Sequence, residues 1–243
     1  MLKRLDQIVA QAGQVSRSDA KKMIRQNRVA VDGRSATDPA CKADPEAVTI
    51  TLDGLALHWR EWVYLMMNKP SGLVSATTDS KDPTVCSLLR PEHAYFAPAP
   101  VGRLDKDTEG LVLLTNDGTL AHRVISPKSH VPKTYYAHIA GTIPQELPDT
   151  FQEGVTLDDG YRTLPAELEI IGQSGDGWEY EILLTIYEGK FHQVKRMFAA
   201  FGLPVTYLKR LSIGPLELDP VLKLGEYREL TEEEVATLKK AVT

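Results

Sequence analysis

The chain has 243 residues, carries a net charge of −5, and is 42% apolar and 25% charged, the balance of a globular protein large enough to build its own core. Its two cysteines, Cys41 and Cys86, form no CxxC pair, which excludes a disulfide framework and a zinc site and favours a reducing, cytoplasmic setting. The longest apolar run, Val63 to Met67, is far short of the roughly 18 residues of a membrane span. The first thirteen residues alternate charge and apolarity where an export signal has a continuous apolar stretch, so no membrane partner is expected.

Leu2, Leu5, Ile8, Val9 and Ala12 recur at helical spacing ahead of Gly13, a C-terminal stop. Ser16, with Asp19 three residues on, then caps a second helix over about Arg17 to Gln26. Spacings of 4, 4 and 3 put Arg17, Lys21, Arg25 and Arg28 on one face, a basic stripe that is either a solvated helix surface or a phosphate-binding one. Residues 1–34 hold eight Lys and Arg against three Asp, a net +5, while the other residues sum to −10. VAVDG at 29–33 and AVTITLDG at 47–54 are β-branched runs that each end in an Asp-Gly turn signal. Two helices, the second basic, followed by a V-x-V-D-G strand resemble an S4 (αL-type) RNA-binding domain over residues 1–58. The resemblance implies that the stripe touches RNA.

After a linker at 59–61, strands are predicted at Val63–Met67, Leu111–Thr115, Lys133–Ala140, Ala166–Ile171, Tyr180–Tyr187 and Val205–Ile213. Helices are predicted at Thr119–Ile125 and His192–Phe201, and Thr231 with Glu234 opens a last short one. Many strands with few intervening helices define an α+β domain over 62–243 with a mixed, mainly antiparallel sheet.

The segment VGRLDKDTEGLVLLTNDG at 101–118 gathers acids and glycines around an apolar strand. Asp105, Asp107, Glu109 and Gly110 match positions 1, 3, 5 and 6 of a calcium loop, but position 12 is Asn116 rather than Glu, and Pro98 and Pro100 forbid the entering helix. The remaining reading from the residues alone is a solvated acidic turn before a buried strand. EGKFHQVKRMFAAFG at 188–202 reads as a turn and an amphipathic helix whose Lys190, His192, Gln193, Lys195 and Arg196 suit a phosphate or carboxylate partner. Taken alone, His192 is a structural histidine and the helix face a solvated one.

Four spaced motifs bring these segments together: MNKPSGLVSATTD at 67–79, GRLDKDTEGLVLLTNDG at 102–118, KTYYAHIAG at 133–141 and EGKFHQVKRMF at 188–198, with RLSIGPLELD following. With the S4-like segment in front, the chain resembles the pseudouridine synthases, in the ribosomal small-subunit pseudouridine synthase A branch. The resemblance implies an isomerase that breaks the C–N glycosidic bond of a uridine, turns the uracil and joins C5 to C1′, with no metal or organic cofactor. It places the essential aspartate at Asp105, which either attacks C1′ or removes a sugar proton, both routes requiring the ionised carboxylate. The supporting cation falls on Lys195, where Arg is common in the family, with Arg196 open as a sharer of that role. The active-site tyrosine falls on Tyr135, which on a strand shares an apolar face with Ala137 and Ile139, whereas Tyr136 faces the other way with Thr134 and His138.

Arg103 is the candidate to fill the gap left by a flipped uridine. Lys190, Gln193 and Arg196 are candidate substrate-binding residues, and Arg17, Lys21, Arg25 and Arg28 the RNA-binding residues of the S4 segment. Asp107 is expected to be a solvated turn residue, and no metal site is expected. The implied partner is 16S ribosomal RNA, met in a pre-ribosomal particle by a monomeric, cytoplasmic enzyme. A large-subunit (23S) rRNA synthase and a non-catalytic ribosome-assembly factor are the alternatives. Asp105, Tyr135 and Lys195 together weigh against the latter, because binding alone needs no carboxylate in a cationic groove.

Overall fold

The computed structural model describes residues 1–173 and 178–242, and the chain divides into two units, one of residues 1–63 with 90–97 and the other of residues 64–89 with those from 98 onward. The first unit opens with β1 (Lys3–Arg4), α1 (Leu5–Ala12) and α2 (Arg17–Arg25), followed by β2 (Val29–Val31), β3 (Arg34–Ser35), β4 (Lys42–Ala43), β5 (Ile50–Leu52) and β6 (Leu55–Ala56). Leu5, Ile8 and Val9 of α1 bury fully against Ala20 and Ile24 of α2 and Val29 of β2, which is why two short helices persist here. The Ser16 hydroxyl accepts from the Asp19 amide at 3.1 Å, the expected cap. Both Asp-Gly pairs have positive φ at each residue, and they join β2 to β3 and β5 to β6 as two-residue hairpins.

Helix α2 ends at Arg25, and Asn27 takes a left-handed φ of 59°. Arg28 therefore lies outside the helix, contrary to the expected four-residue stripe, and pairs with Asp53 at 2.6 Å. Residues 59–61, expected to be a linker, are held on α1: Trp59 Nε1 donates to Gln11 Oε1 at 2.8 Å, Gln11 Nε2 donates to the Arg60 carbonyl at 2.7 Å, and Lys3 pairs with Glu61. The short helix α3 (Pro91–Ala94) falls in the same unit, where the following Tyr95 hydroxyl donates to the carbonyls of Ala10 and Val15. That segment, expected within the second domain of residues 62–243, belongs to the first unit.

In the second unit the chain runs β7 (Tyr64–Lys69), β8 (Ala99–Pro100), β9 (Glu109–Thr115), α4 (Gly118–Ile125), β10 (Lys133–Ala140), α5 (Leu147–Glu153), β11 (Glu167–Gln173), β12 (Glu179–Ile186), α6 (Gln193–Ala199), β13 (Val205–Ile213), β14 (Leu216–Glu217), β15 (Tyr227–Glu229) and α7 (Glu232–Ala241). The sheet order is β11-β12-β10-β13-β9-β7-β15, with β14 on β13 and β8 on β9. Among the described strands of this sheet pairing is antiparallel except between β13 and β9, where Lys209 and Arg210 run parallel to Glu109 and Gly110. This is the expected α+β fold with a mixed, mainly antiparallel sheet.

Strand β9 is buried from Gly110 to Thr115, so it reads as a continuous apolar run instead of an alternating one. Its Leu111 and Leu113 pack with Met66, Leu120, Val124, Ile213 and Leu238 into the main core. Thr231 and Glu234 form the expected capping box of α7. Helix α5, which the spacing did not predict, starts with Pro148 in its first turn, where a missing amide costs nothing. Among the described residues no helix is long and apolar enough to cross a membrane.

Candidate active site

The turn between β8 and β9 is built to hold one side chain still. The Lys69 ammonium, fully buried at the end of β7, donates to the carbonyls of Thr108 at 2.7 Å and of Lys106 and Pro70 at 3.1 Å. Ser75 clamps the same turn from the other end, its hydroxyl accepting from the Leu104 amide at 3.0 Å and donating to the Leu104 carbonyl at 3.1 Å. The Gly72 amide adds a bond to the Lys106 carbonyl, and the Thr108 amide closes back on the Asp105 carbonyl. Asp105 is thus presented on a backbone fixed by the MNKPSGLVS segment. Burial of Lys69 lowers its pKa to about 8.

Opposite it, the start of α6 supplies an imidazole and an ammonium group. His192 precedes the helix in a left-handed conformation (φ 49°), stacked on Phe191, and its Nε2 lies 3.5 Å from Asp105 Oδ1. Lys195 Nζ lies 3.5 Å from Asp105 Oδ2. It is closer to Asp107, at 2.7 and 2.8 Å from the two carboxylate oxygens. Asp107, expected to be a free turn residue, is therefore the nearer partner of Lys195, and that hydrogen bond holds its carboxyl below the usual range.

Asp105, His192 and Lys195 line a pocket of about 130 Å³ whose apolar walls include Val101, Val124, Ile186, Val194, Leu208 and Ile213, similar in size to cavities that admit a six-membered ring. Tyr135 lines it from β10, on the buried face with Ala137 and Ile139, as the alternation required. Tyr136 turns to the opposite face, where its hydroxyl bonds Glu181 and His138, and burial together with the Glu181 charge pushes it up to about 12.

Asp105, Tyr135, Lys195, Arg103, Lys190 and Gln193 all reach this pocket. Arg196 does not: its guanidinium pairs with Asp158 and, at 2.7 Å, with Asp159, so Lys195 rather than Arg196 stands by Asp105. Gln193 spends its amide internally, donating to buried Glu188 at 3.1 Å and accepting from the Lys190 amide at 2.8 Å. Glu188 also takes the Tyr161 hydroxyl and the Leu164 amide, so this network sets the start of α6. In the N-terminal unit, Arg17 and Lys21 converge with Arg4 on the fully buried Asp6, at 3.3, 3.9 and 3.1 Å. Arg4 and Arg17 hold the Asp6 carboxyl low.

Sequence reasoning overlooked two cations that line the pocket, Lys133 and Arg210. Lys133 Nζ donates to the Val131 carbonyl at 2.7 Å, and burial with the nearby Arg210 charge lowers it to about 8. The available signal was alternation on β13, which buries Leu208 and Arg210 together.

Comparison with known proteins shows the family to which this fold belongs. The model of the RNA pseudouridylate synthase family matches residues 63–200 and that of the S4 domain residues 3–48. Over 237 residues the chain is 50% identical to RNA pseudouridine synthase YtzG of Bacillus subtilis, covering 98% of each chain. It is 44% identical to ribosomal small subunit pseudouridine synthase A of Escherichia coli K12, covering 97% of this chain and 99% of that one. A crystal structure of a pseudouridylate synthase superposes with a TM-score of 0.66 at 39% identity, covering 97% and 99% of the two chains. The chain belongs to the RNA pseudouridylate synthase family, with an S4 domain in front of the isomerase domain.

Proposed function

We propose that this chain isomerises one uridine of small-subunit (16S) ribosomal RNA to pseudouridine, with Asp105 as the residue that acts on the ribose. The observation that carries the reading is Asp105 itself, fixed by Lys69 and Ser75 at a ring-sized pocket and flanked by Lys195 and His192 at 3.5 Å. Relatives called ribosomal small subunit pseudouridine synthase A match at 40 to 44% over nearly the full length, which favours the small-subunit substrate over the large-subunit one.

In this account the target uridine leaves its stack and places its base against Tyr135, with Arg103 filling the gap. The C1′–N1 bond breaks with its electron pair moving to N1, while Asp105 either bonds C1′ or takes a neighbouring sugar proton. The freed uracil turns and C5 bonds C1′ as the Asp105–C1′ bond breaks or the sugar proton returns from Asp105 to its carbon; the C5 proton is lost and N1 gains a proton, so the product is an isomer and no co-reactant is consumed. Lys195 stands 3.5 Å from the Asp105 carboxylate, and Lys190 with the basic helix of residues 17–25 contacts phosphates. The first unit acts as the RNA-binding module and the second as the catalytic domain of a monomer working on pre-ribosomal particles in the cytoplasm.

Mapping pseudouridine in the ribosomal RNA of cells lacking the protein tests this. One small-subunit position should revert to uridine. Loss of a large-subunit position instead, or no loss at all, contradicts the proposal.

A further inference from the structure

Arg210 lines the pocket and carries a buried donor that no group among the described residues uses. The residue is 3% exposed, and its Nε donates to the Leu111 carbonyl at 2.9 Å. Its Nη2 is buried and has no hydrogen-bond partner among the described residues. A guanidinium is always charged and carries five donors in a fixed fork, and an unmet buried donor is costly unless something else supplies the acceptor. The protein does not supply it: Nη2 has no partner and no ion pair of Arg210 or Lys133 occurs among the described residues, while Leu208, Ile213 and Ile186 are among the apolar residues of the pocket they share.

Placement restricts what the acceptor is. Arg210 pairs in register with Tyr135 on one side and with Gly110, five residues after Asp105, on the other. It therefore lies between the strand that carries the aromatic wall and the strand that follows the Asp105 turn. Lys133, two residues before Tyr135, lines the same pocket. A planar ring bearing carbonyl oxygens fits these donors and these apolar walls. When the C1′–N1 bond breaks heterolytically, the electron pair on N1 spreads onto O2 and O4 of the uracil, so the acceptor becomes stronger while the base is detached.

Resting on the proposed function above, we propose that the Arg210 guanidinium turns into the pocket it lines to donate to a carbonyl oxygen of the target uracil and, with Lys133 beside it, holds the uracil anion in place between bond cleavage and re-attachment. Arg210 is on this view a substrate-contacting residue whose interaction strengthens as charge develops.

The test pairs enzyme variants with a modified base. Small-subunit RNA fragments carry uridine, 2-thiouridine or 4-thiouridine at the mapped target, since sulfur is a weak acceptor. Rates are read in single turnover with saturating wild type, Arg210→Ala and Arg210→Lys, alongside RNA affinity and thermal unfolding. Arg210→Ala should lower the rate about 30-fold or more, with RNA affinity within about twofold, and Arg210→Lys should recover part of the loss. One of the two thio substitutions should slow the wild type about tenfold and the Arg210→Ala enzyme less than about twofold, because the contact is already gone. Multiplying penalties, or a loss confined to RNA affinity as a phosphate contact gives, would overturn the proposal. Should Arg210→Ala unfold, the same cycle on Arg210→Lys decides. Wild-type turnover with a multiplicative cycle removes Arg210 alone, whereas a wild type that forms no pseudouridine in any ribosomal RNA removes the functional reading and this inference together.

Discussion

The Lys195 ammonium sits 2.7 Å from one oxygen of Asp107 and 2.8 Å from the other. Asp105, at 3.5 Å, therefore shares its cation with a neighbour whose side chain is 70% exposed. Exposed ion pairs contribute little because solvent screens them, so Asp107→Asn should leave folding unchanged and free Lys195 to shift toward Asp105. Turnover of that variant should fall less than about tenfold, within what one exposed charge-assisted bond supplies. A steady-state comparison of the two proteins at matched salt checks this.

Gly110 has φ +98°, and a Cβ built on it would lie 2.2 Å from the Arg210 carbonyl oxygen and 2.7 Å from its amide nitrogen. Both contacts are backbone, so they do not yield as a side-chain tip does. Gly110→Ala should destabilise the second unit by about 3 kcal/mol or more, combining a positive φ with a displaced strand. For a chain of this size that lowers the melting temperature by roughly 6 to 12 °C. A melting temperature unchanged in the variant would show that β9 and β13 separate easily.

Much of the second unit was legible because its strands are long and strongly patterned. Lys133–Ala140 and Val205–Ile213 occur with the predicted limits, and the choice of Tyr135 over Tyr136 followed from alternation alone. Local rules failed where one residue overrides a repeat: the left-handed Asn27 removes Arg28 from its helix. Ion pairing between distant segments was also out of reach, which is why the Arg196 bridge to Asp158 and Asp159 and the Asp107 bridge to Lys195 surfaced only in three dimensions. Lys69 stood inside a quoted motif, but its role depends on three carbonyls that a linear pattern does not display.

Two lysines make stability depend on alkaline pH. Lys69 and Lys133 are each lowered to about 8 by burial, so between pH 8 and the ordinary lysine range the unfolded chain binds more protons than the folded one. Stability then rises with pH across that window. Tyr136, raised to about 12, and Tyr207, also raised, reverse the sign above about pH 10. The melting temperature of the wild type should gain on that of Lys133→Met as pH goes from about 8 to 10, since the variant lacks one of the two contributions. A difference independent of pH contradicts this assignment.

On α2, replacing Arg17, Lys21 and Arg25 with Gln should weaken RNA binding without touching the pocket. Arg17 and Lys21 remain about half exposed while leaning on Asp6, so their donors still face solvent. Losing roughly three phosphate contacts should reduce the slope of log affinity against log salt by about 2 to 3. An unchanged slope would mean that RNA binds elsewhere. Single-turnover rates at saturating RNA should stay near wild type.

The most direct measurement compares wild type and Asp105→Asn for pseudouridine formation in small-subunit ribosomal RNA, with RNA affinity followed in parallel. The amide keeps the size and hydrogen bonding of Asp105 but offers neither a nucleophile nor a base. Lys195 keeps Asp107 as a partner at 2.7 Å, so the variant should fold and bind RNA as the wild type does while forming no detectable pseudouridine. Substantial turnover by Asp105→Asn, or an equal loss in Asp107→Asn, would contradict the account.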